Sequence, residues 1–447
     1  MTPELITRHA APLPRYTSYP TANHFSNAVG PEEYRSWLSA LPAGANLSIY
    51  LHIPYCQELC WYCGCSTKAT RRYEPIAAYI EQLSVEIATV SSLVARPHRV
   101  SHIHWGGGSP DILTASDMAR LAALLREAFV VDGDAEFAVE IDPRLLTRDR
   151  AEALAQAGVN RISIGVQDFE PSVQAAIGRE QSFEQTCRVV ETFRDRGIRS
   201  INIDLVYGLP HQSVDSVSRT IEQVLSLSPD RIAIFGYAHL PSRLKHQRLL
   251  PEAALPGPVE RFEQARRLSE LVRASGYAEI GIDHFARPAD TLASKPLARN
   301  FQGYTTDHAD ALLGLGASAI SKLPGGYAQN AVAVEAYGEG LSRDGVATVR
   351  GHAMTADDRI RAAVVERLMC DFSFEARELE ARFGSAARPM RGIAEQVVRR
   401  DADGFVERTG DGFRLTAIGR PFVRNIAAQF DSYLTADVAQ RRHALSV

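Results

Sequence analysis

The sequence predicts an α/β protein built as a full or partial (β/α) barrel, with an extended arm before it and a mostly helical domain after it. Three observations support this fold class. Strand-like and helix-like segments alternate from residue 46 to about residue 285, unusual polar residues follow the strand-like segments, and the pattern becomes helical from about Thr355 onward. Repeated strand–helix units imply parallel strands, and six or seven of them are typical of a barrel. The predicted boundaries are 1–35 for the arm, 36–350 for the barrel and 351–447 for the C-terminal domain.

Length, composition and charge limit the cellular compartments and the binding partners that we expect for this protein. A chain of 447 residues with 45% hydrophobic residues is long enough for a barrel and a further domain. Its net charge of −4 provides no global positive field that would recruit nucleic acid or an anionic membrane. No run of eighteen apolar residues predicts a membrane span, and the first fourteen residues carry charges and prolines where a signal peptide needs an apolar core. We therefore expect a cytoplasmic protein without nucleic-acid or membrane partners.

The N-terminal segment is predicted to be an extended arm, because it lacks sustained hydrophobic periodicity and contains Pro12, Pro14 and Pro20. Within it, residues 15–21 read Arg-Tyr-Thr-Ser-Tyr-Pro-Thr. One interpretation is a surface strap whose tyrosines pack on the main domain, and the other is a lid that carries polar groups to a site. Composition alone favours the strap.

The barrel elements are assigned from hydrophobic periodicity. The predicted strands are Leu47–Ile53, Val100–Trp105, Glu136–Ile141, Arg161–Val166, Ser200–Val206, Arg231–Phe235 and Ala278–Ile282. The predicted helices between them are Ile76–Val94, Ala115–Phe129, Arg148–Ala157, Phe183–Arg196 and Val214–Leu227. After residue 285 the alternation fades, and Gly314–Ser321 is predicted as a late strand that closes the barrel mouth.

The C-terminal region is predicted to resemble a winged helix. Its predicted elements are helices Asp357–Leu368 and Met390–Arg400 and a hairpin formed by Phe405–Arg408 and Phe413–Thr416. Winged helices often bind DNA, but fold does not determine function, and no basic stripe supports DNA binding here.

Polar and glycine residues gather where the predicted strands end, which in such barrels is where the chemistry takes place. The candidate residues at or near these ends are Tyr50, Gly107, Gly108, Ser109, Glu140, Gln167, Asp204 and Ala238. Taken singly, the glycines indicate a tight turn, the carboxylates helix caps, and the tyrosine packing. Arg179 alone reads as an exposed charge, or as a guanidinium aimed at a carboxylate. Their recurrence at successive strand ends is what favours a binding site.

Four cysteines, Cys56, Cys60, Cys63 and Cys65, lie within ten residues after the first strand. Soft sulfur ligands select iron–sulfur clusters or zinc over hard cations. A disulfide-bonded loop fits poorly because the chain shows no secretory segment. Zinc and inert buried thiols remain alternatives, although no second Cys/His pair at zinc-site spacing accompanies the loop.

The spacing C-x-x-x-C-x-x-C resembles that of the radical S-adenosylmethionine (SAM) enzymes. In those enzymes three cysteines hold a [4Fe-4S] cluster and SAM chelates the fourth iron. Together with Cys65, the preceding Tyr50–Pro54 and the heptad Arg15–Thr21, the motif resembles the oxygen-independent coproporphyrinogen III dehydrogenases of haem biosynthesis. The match of the heptad to the N-terminal arm of that family favours the lid over the strap. That resemblance implies a radical SAM barrel, a [4Fe-4S] cluster on Cys56, Cys60 and Cys63, and two molecules of SAM.

The resemblance also implies roles for the residues at the strand ends. The SAM on the cluster would contact Tyr50, Gly107, Glu140 and Ile320. The second SAM would contact Tyr62, Gly108, Ser109, Gln167, Arg179, Asp204 and Ala238. Of these, Tyr50, Glu140 and Arg179 are expected to be catalytic. A threonine is common in relatives at the position of Ser109, and serine keeps its hydroxyl.

The implied reaction converts two propionates of coproporphyrinogen III to the vinyl groups of protoporphyrinogen IX by anaerobic oxidative decarboxylation. A 5′-deoxyadenosyl radical derived from SAM removes hydrogen from the propionate, and a flavodoxin or ferredoxin is the expected electron donor to a monomeric enzyme. Two alternatives remain. A haem-carrying relative without decarboxylase activity typically has phenylalanine at the position of Cys65 and lacks the heptad, and a plain electron carrier leaves the polar strand ends unexplained.

Overall fold

The computed structural model of the protein describes residues 1–94 and 98–434. The strands are β1 Asn46–Ile53, β2 Tyr55–Cys56, β3 Lys68–Ala69, β4 Arg99–Gly107, β5 Val130–Ile141, β6 Arg161–Gln167, β7 Ser200–Tyr207, β8 Arg231–Gly236, β9 Ala278–Ile280, β10 His284–Ala286, β11 Ala298–Asn300, β12 Gly303–Thr305, β13 Ala311–Leu315, β14 Ile320–Leu323, β15 Gly326–Asn330, β16 Thr348–Ala353, β17 Ser373–Glu375, β18 Val406–Thr409 and β19 Gly412–Leu415. The α-helices are α1 Pro3–His9, α2 Pro31–Ser39, α3 Glu74–Leu93, α4 Ala115–Ala128, α5 Arg148–Gln156, α6 Pro171–Ile177, α7 Phe183–Arg194, α8 Val214–Ser226, α9 Pro258–Ala274, α10 Thr291–Ser294, α11 Val334–Asp344, α12 Ala356–Asp371, α13 Ala376–Phe383, α14 Arg388–Arg400 and α15 Val423–Ala427.

A twelve-stranded sheet organises the described residues, in the order β16-β15-β14-β13-β1-β4-β5-β6-β7-β8-β10-β9. The neighbouring strands from β13 through β1 and β4 to β8 pair in parallel, and the flanking strands pair antiparallel. Because β16 and β9 lie at opposite ends of this order, the sheet is an open, partial barrel. The predicted class is confirmed, and the six strands predicted from Leu47 to Phe235 all appear in parallel pairing.

The strands alternate between a face packed on the helices and a face turned into the barrel. In β6, Ile162, Ile164 and Val166 are buried in the main hydrophobic core, whereas the residues between them are partly exposed. The same period of two in β7 buries Ile201 and Ile203 and leaves Asp204 on the other face. This alternation is what places polar side chains inside the barrel.

Two strand predictions near the end of the barrel differ from the structure. The strand predicted at residues 278–282 is present as β9, but it ends before Gly281, whose φ is +59°, and it pairs antiparallel with β10. Residues 314–321 are not one strand closing the mouth. The chain turns at Gly316 and Ser318, which have positive φ, so that β13 extends the sheet beside β1 and β14 returns antiparallel.

The N-terminal segment is less extended than predicted, since it begins with helix α1. The Thr2 hydroxyl accepts a hydrogen bond from the Leu5 amide at 3.3 Å, and Pro3 occupies the first helical turn. These are ordinary helix start signals. Ile6 on this helix is 1% exposed and belongs to the hydrophobic core of the C-terminal region.

The C-terminal region has its own hydrophobic core, separate from that of the barrel. Helix α12 contributes Leu368 and Met369, and the predicted hairpin is confirmed as β18 and β19. β17 joins β19 to make a three-stranded sheet, as a winged helix would. The final part of the predicted domain, residues 435–447, lies outside the described residues. No helix in the described ranges is long and apolar enough to cross a membrane.

Candidate active site

The cysteine loop follows β1, at the C-terminal end of the parallel strands. Cys60 is buried, Cys56 and Cys63 are partly buried, and Cys65 is exposed. The Thr67 hydroxyl lies 3.3 Å from the Cys56 sulfur, and the Cys65 amide donates to the Cys63 sulfur at 3.4 Å. The loop is tied to the barrel because the Trp61 amide donates to the Ile177 carbonyl at 2.9 Å.

A buried guanidinium contacts the loop from the other side. Nη1 of Arg179 donates to the Cys60 sulfur at 3.5 Å and to Asp142 at 3.2 Å, and Nη2 donates to the Gly165 carbonyl at 2.6 Å. Arg144 also reaches both Cys60, at 3.7 Å, and Asp142, at 2.7 Å. Burial opposes the charged form of Asp142, but these two guanidinium groups outweigh it and lower its pKa. The alternative interpretation of Arg179 as an exposed charge is excluded, since the residue is 6% exposed.

Tyr50, His52, Gly107 and Glu140 are in direct contact. Nε2 of His52 donates to the Ser66 carbonyl at 2.9 Å, so its Nδ1 accepts from the Tyr50 hydroxyl, also at 2.9 Å. The Glu140 carboxylate accepts from the Gly107 amide at 3.1 Å and from His104 at 3.2 Å. Burial raises the pKa of Tyr50, and the Glu140 charge adds to the increase. The Tyr50 hydroxyl therefore remains a hydrogen-bond donor at physiological pH.

Gly107 has a conformation and a setting that exclude a side chain. Its φ is +112°, and a Cβ atom there would lie 2.5 Å from the His52 ring. We expect Gly107→Ala to lower the free energy of unfolding by about 2–4 kcal/mol, through backbone strain and the displaced imidazole. Urea unfolding measures the effect. Gly133→Ala is the control, because a Cβ atom at Gly133 meets nothing within 4 Å, and we expect a change within about 0.5 kcal/mol. Equal effects of the two substitutions would contradict the packing argument.

Gly108 and Ser109 support the base of the cysteine loop. Their amides donate to the carbonyls of Ile53 and Tyr55 at 2.8 and 2.9 Å. The Ser109 hydroxyl donates to Asp111 at 2.5 Å, and Ser109 is 3% exposed. Burial raises the pKa of Asp111 to about 7, with the Asp142 charge contributing. In this arrangement the Ser109 hydroxyl is engaged within the protein.

Gln167 is the last residue of β6, and Asp204 lies on the neighbouring strand β7. Gln167 adopts a φ of +68°, which is uncommon for a residue with a side chain, and its amide nitrogen lies beside Gly165, the residue whose carbonyl binds Arg179. The Asp204 carboxylate accepts from Ser163 at 2.7 Å and from Asn202 at 2.8 Å. Burial raises the pKa of Asp204.

Tyr62 and Ala238 are joined by a residue that the sequence did not single out. Nε2 of Gln247 donates to the carbonyls of Tyr62 at 3.0 Å and Ala238 at 3.1 Å. Gln247 is 1% exposed and lies in a short 3-10 helix, so the bridge is rigidly placed. Ile320 lies near Tyr50, on the side of β1 that faces away from β4. Tyr50 pairs with Gly314 on β13, and a Cβ atom at Gly314 would lie 2.5 Å from the Ile320 backbone.

The residues present fit an iron–sulfur cluster. As placed in the described residues, no three His, Cys, Asp or Glu side chains form a group close enough to hold a single metal ion. The loop nevertheless carries four thiols, and cluster sulfurs are tuned by nearby hydrogen-bond donors such as those of Arg144 and Arg179. Nε of Arg179 is buried without a hydrogen-bond partner among the described residues, which leaves a donor for a bound ligand.

Comparisons with known proteins agree with this geometry. Residues 50–224 match the family model described as Radical SAM superfamily, and residues 354–422 match the HemN C-terminal domain. An oxygen-independent coproporphyrinogen III oxidase of Bradyrhizobium diazoefficiens is 48% identical over 439 residues, covering 97% of each chain. The enzyme of that name from Escherichia coli is 40% identical over 442 residues, covering 96% of this chain and 95% of its own.

A solved structure of the coproporphyrinogen III oxidase HemN from Escherichia coli, described as a radical SAM enzyme, superimposes with a TM-score of 0.90. The alignment covers 94% of this chain and 98% of that one, at 40% identity. The open parallel barrel and the cysteine loop at its C-terminal edge define a radical SAM enzyme. Within that class, the chain belongs to the family of oxygen-independent coproporphyrinogen III oxidases.

Proposed function

We propose how the residues of this radical SAM enzyme divide the work of its reaction, the anaerobic oxidative decarboxylation of coproporphyrinogen III to protoporphyrinogen IX in haem biosynthesis. The observation that carries the proposal is the cysteine loop at the mouth of the barrel. It is held between the Arg179 guanidinium on one side and the base formed by Gly108 and Ser109 on the other. Cys56, Cys60 and Cys63 are proposed to bind the [4Fe-4S] cluster, with Cys65 outside the ligand set.

When bound, the cluster and SAM supply an electron and a 5′-deoxyadenosyl radical. For each propionate, one hydrogen atom leaves the carbon beta to the carboxyl, CO2 leaves, and one electron passes to an acceptor, so that a vinyl group remains. The protein binds and orients the reactants and excludes water from them. The buried position of Arg179 and the partly buried position of Tyr50 suit this task, because hydrogen bonds strengthen away from solvent.

The first SAM is proposed to contact Tyr50, Gly107, Glu140 and Ile320. Glu140 offers carboxylate oxygens that are 37% exposed as a side chain, so it keeps acceptor capacity for the amino group or a ribose hydroxyl. The hydrogen bond from Gly107 and the one from His104 hold this carboxylate in place.

A second SAM is proposed at the other group of residues, Tyr62, Gly108, Ser109, Gln167, Arg179, Asp204 and Ala238. Arg179 is central to this proposal because its buried Nε has no partner among the described residues, which suits a carboxylate ligand. Gln247 is added as a positioning residue, since it fixes the backbone of both Tyr62 and Ala238.

Glu140→Ala is expected to weaken binding of the first SAM, and Arg179→Ala binding of the second. Losing a charge-assisted contact costs about 1.5–3 kcal/mol, which is roughly ten- to a hundredfold in affinity. Equilibrium binding of labelled SAM measures the stoichiometry, which should fall in both variants. Glu222→Ala, an exposed carboxylate on α8, is the control and should bind as the wild type does. A wild-type stoichiometry of one SAM would remove the basis for separating the two roles.

The remaining proposals concern partners and setting. A flavodoxin or ferredoxin is proposed as the electron donor, because the reaction needs single electrons at low potential. The enzyme is proposed to act as a monomer, since one chain supplies every residue assigned to the site. A reducing cytoplasm is proposed because cluster ligands must remain thiolates. The boundaries 1–35, 36–350 and 351–447 are proposed for its arm, barrel and C-terminal domain, the last supported by the separate core.

The experiment that tests the proposed function is an anaerobic assay of the purified enzyme with coproporphyrinogen III, SAM and a chemical reductant. We expect protoporphyrinogen IX to form only when all three are present. Formation of 5′-deoxyadenosine without any vinyl product, from enzyme with full iron content, would contradict the assignment of substrate.

A further inference from the structure

A second feature of the structure is a cavity of 590 Å³ that joins the arm, the barrel and the C-terminal region. Its volume lies within the range of about 300–1,000 Å³ that is typical of small-molecule sites. Ala238, assigned above to the second SAM, lies on its wall together with Arg15 of the arm and Arg424 of α15. We call this space the arginine cavity and define it by Arg15, Arg261, Arg299 and Arg424. Another cavity, of 550 Å³, is lined by none of the predicted site residues.

The arginine cavity is strongly cationic. Among its described lining residues are seven arginines and two carboxylates, those of Glu279 and Asp283. One of the seven, Arg266, is paired with Glu263 and Glu270, which do not line the cavity. Burial lowers the pKa of Arg424 to about 10, and the nearby charges of Arg15 and Arg299 contribute. Gathering like charges in a partly buried space is unfavourable, and negative charge brought into the space reduces the cost. The excess of arginines over carboxylates on the wall therefore favours a ligand with several negative charges.

Arg299 shows how such a ligand would be held. It is 8% exposed, its Nη2 donates to the Arg15 carbonyl at 3.3 Å, and its guanidinium lies 4.3 Å from the centre of the Tyr304 ring. Its Nε and Nη1 are buried without hydrogen-bond partners among the described residues. A rigid guanidinium with unused donors matches the geometry of a carboxylate.

Asp283 is the more buried of the two carboxylates on this cationic wall. Its carboxylate lies 2.6 Å from Nδ1 of His284, and its side chain is 17% exposed. Burial favours the neutral form, but His284, Arg299 and Arg15 outweigh it and lower the pKa of Asp283 to about 2. Asp283 therefore presents an ionised hydrogen-bond acceptor on a surface that otherwise attracts anions.

This pattern matches the two kinds of polar group on a porphyrinogen. The rim of coproporphyrinogen III carries four propionates, and its centre carries four pyrrole N–H donors. We propose that Asp283 accepts hydrogen bonds from the pyrrole N–H groups while Arg299 and its neighbours in the arginine cavity bind propionates. The proposal rests on the proposed function, which supplies coproporphyrinogen III as the substrate, and it assigns where and how that substrate binds.

The proposal makes Asp283 the residue that selects the reduced macrocycle. Coproporphyrin III, the oxidised form, keeps all four propionates, but two of its four nitrogens lack a hydrogen atom and would face the carboxylate as acceptors. The arginines should treat the two macrocycles alike, whereas Asp283 should favour the one with four donors. Specificity for the reduced form and affinity for the propionates are thereby carried by different residues.

The test measures dissociation constants of both macrocycles for the cluster-loaded enzyme, anaerobically and without SAM so that no turnover occurs. Wild-type enzyme should prefer coproporphyrinogen III by about tenfold or more. Asp283→Asn should reduce this preference to less than about threefold, and Arg299→Gln should weaken both ligands by similar factors of about tenfold. Glu260→Gln, an exposed carboxylate on α9 that does not line the cavity, is the control and should keep the wild-type preference.

An Asp283→Asn enzyme that keeps the wild-type preference would overturn the proposal, as would an Arg299→Gln enzyme with unchanged affinities. If the asparagine variant fails to retain iron, Asp283→Ser, which leaves a hydroxyl beside His284, gives the same comparison. A wild-type enzyme that binds SAM but neither binds nor converts coproporphyrinogen III would refute the proposed function. A wild-type enzyme that converts it while Asp283→Asn discriminates normally would refute only this inference.

Discussion

Cys60→Ala is expected to leave the enzyme without an iron–sulfur cluster and without detectable decarboxylation. Removing one of three thiolates leaves an iron without its protein ligand, and the cluster is the source of the electron on which the reaction depends. Cys60 is the most buried of the three and is the thiol contacted by Arg144 and Arg179. Cys56→Ala and Cys63→Ala should have the same effect. Iron content and the absorbance of the anaerobically reconstituted protein measure the loss.

Cys65→Ala is the matched control for these substitutions. Cys65 lies on the same loop but is exposed. Its backbone amide donates to the Cys63 sulfur, and alanine at this position keeps that amide. The variant should therefore retain its iron. Iron loss in Cys65→Ala equal to that in the other three variants would show that the ligand assignment is wrong.

Removing residues 1–28 is expected to reduce decarboxylation by at least about a hundredfold, because the substrate would lose a group that positions it and a cover that excludes water. The truncated enzyme should still bind iron, since the proposed cluster ligands lie on the loop after β1, outside the removed segment. Part of the arm acts as a strap: Tyr16 and Tyr19 are each 3% exposed and bond to Asp431 and Ser432. We therefore also expect a lower melting temperature. Iron content, SAM cleavage and product formation are measured on one preparation.

Arg15→Gln separates the two roles of the arm. Arg15 lines the arginine cavity and donates to the Gly236 carbonyl at 2.5 Å, so its loss should reduce decarboxylation with little change in melting temperature. Arg8→Gln is the control, because Arg8 is an arm residue that pairs with Asp403 and is 61% exposed as a side chain.

Full product formation by the enzyme that lacks residues 1–28 would show that the arm is only a strap. Loss of iron as well would show that the arm is needed for folding.

The part of the site that could be predicted from sequence is the part that is local in sequence. The cysteine loop follows β1, and the Gly106–Ser109 turn, Glu140 and Asp204 lie at or near the C-terminal ends of β4, β5 and β7, which parallel pairing brings together. The barrel strands are predictable because short apolar segments alternate with helix-length segments, and the period of two is clear in β6 and β7.

What could not be predicted depends on residues that are distant in the chain and ordinary in their surroundings. Gln247 lies in a short 3-10 helix and shows no motif, yet it joins Tyr62 and Ala238. The arginine cavity draws Arg15, Arg261 and Arg424 from three separate regions, and periodicity carries no information about their convergence.

The errors in the fold have local physical causes. The strand predicted at residues 278–282 ends two residues later than β9. Gly281 reverses the chain at this point, and hydrophobic periodicity alone does not indicate a turn. Helix α1 is only seven residues long and is followed by Pro12 and Pro14, so periodicity does not reveal it even though Thr2, Pro3 and Glu4 form a regular helix start.

The measurement that tests the central claim most directly is the fate of a deuterium label. The enzyme is incubated anaerobically with SAM, a reductant and coproporphyrinogen III that carries deuterium on the propionate carbons beta to the carboxyls. Mass spectrometry then follows both 5′-deoxyadenosine and the tetrapyrrole. We expect deuterium to appear in 5′-deoxyadenosine as vinyl groups form, with neither product in the Cys60→Ala enzyme. Vinyl groups accompanied by unlabelled 5′-deoxyadenosine, or formed equally by Cys60→Ala, would contradict the account.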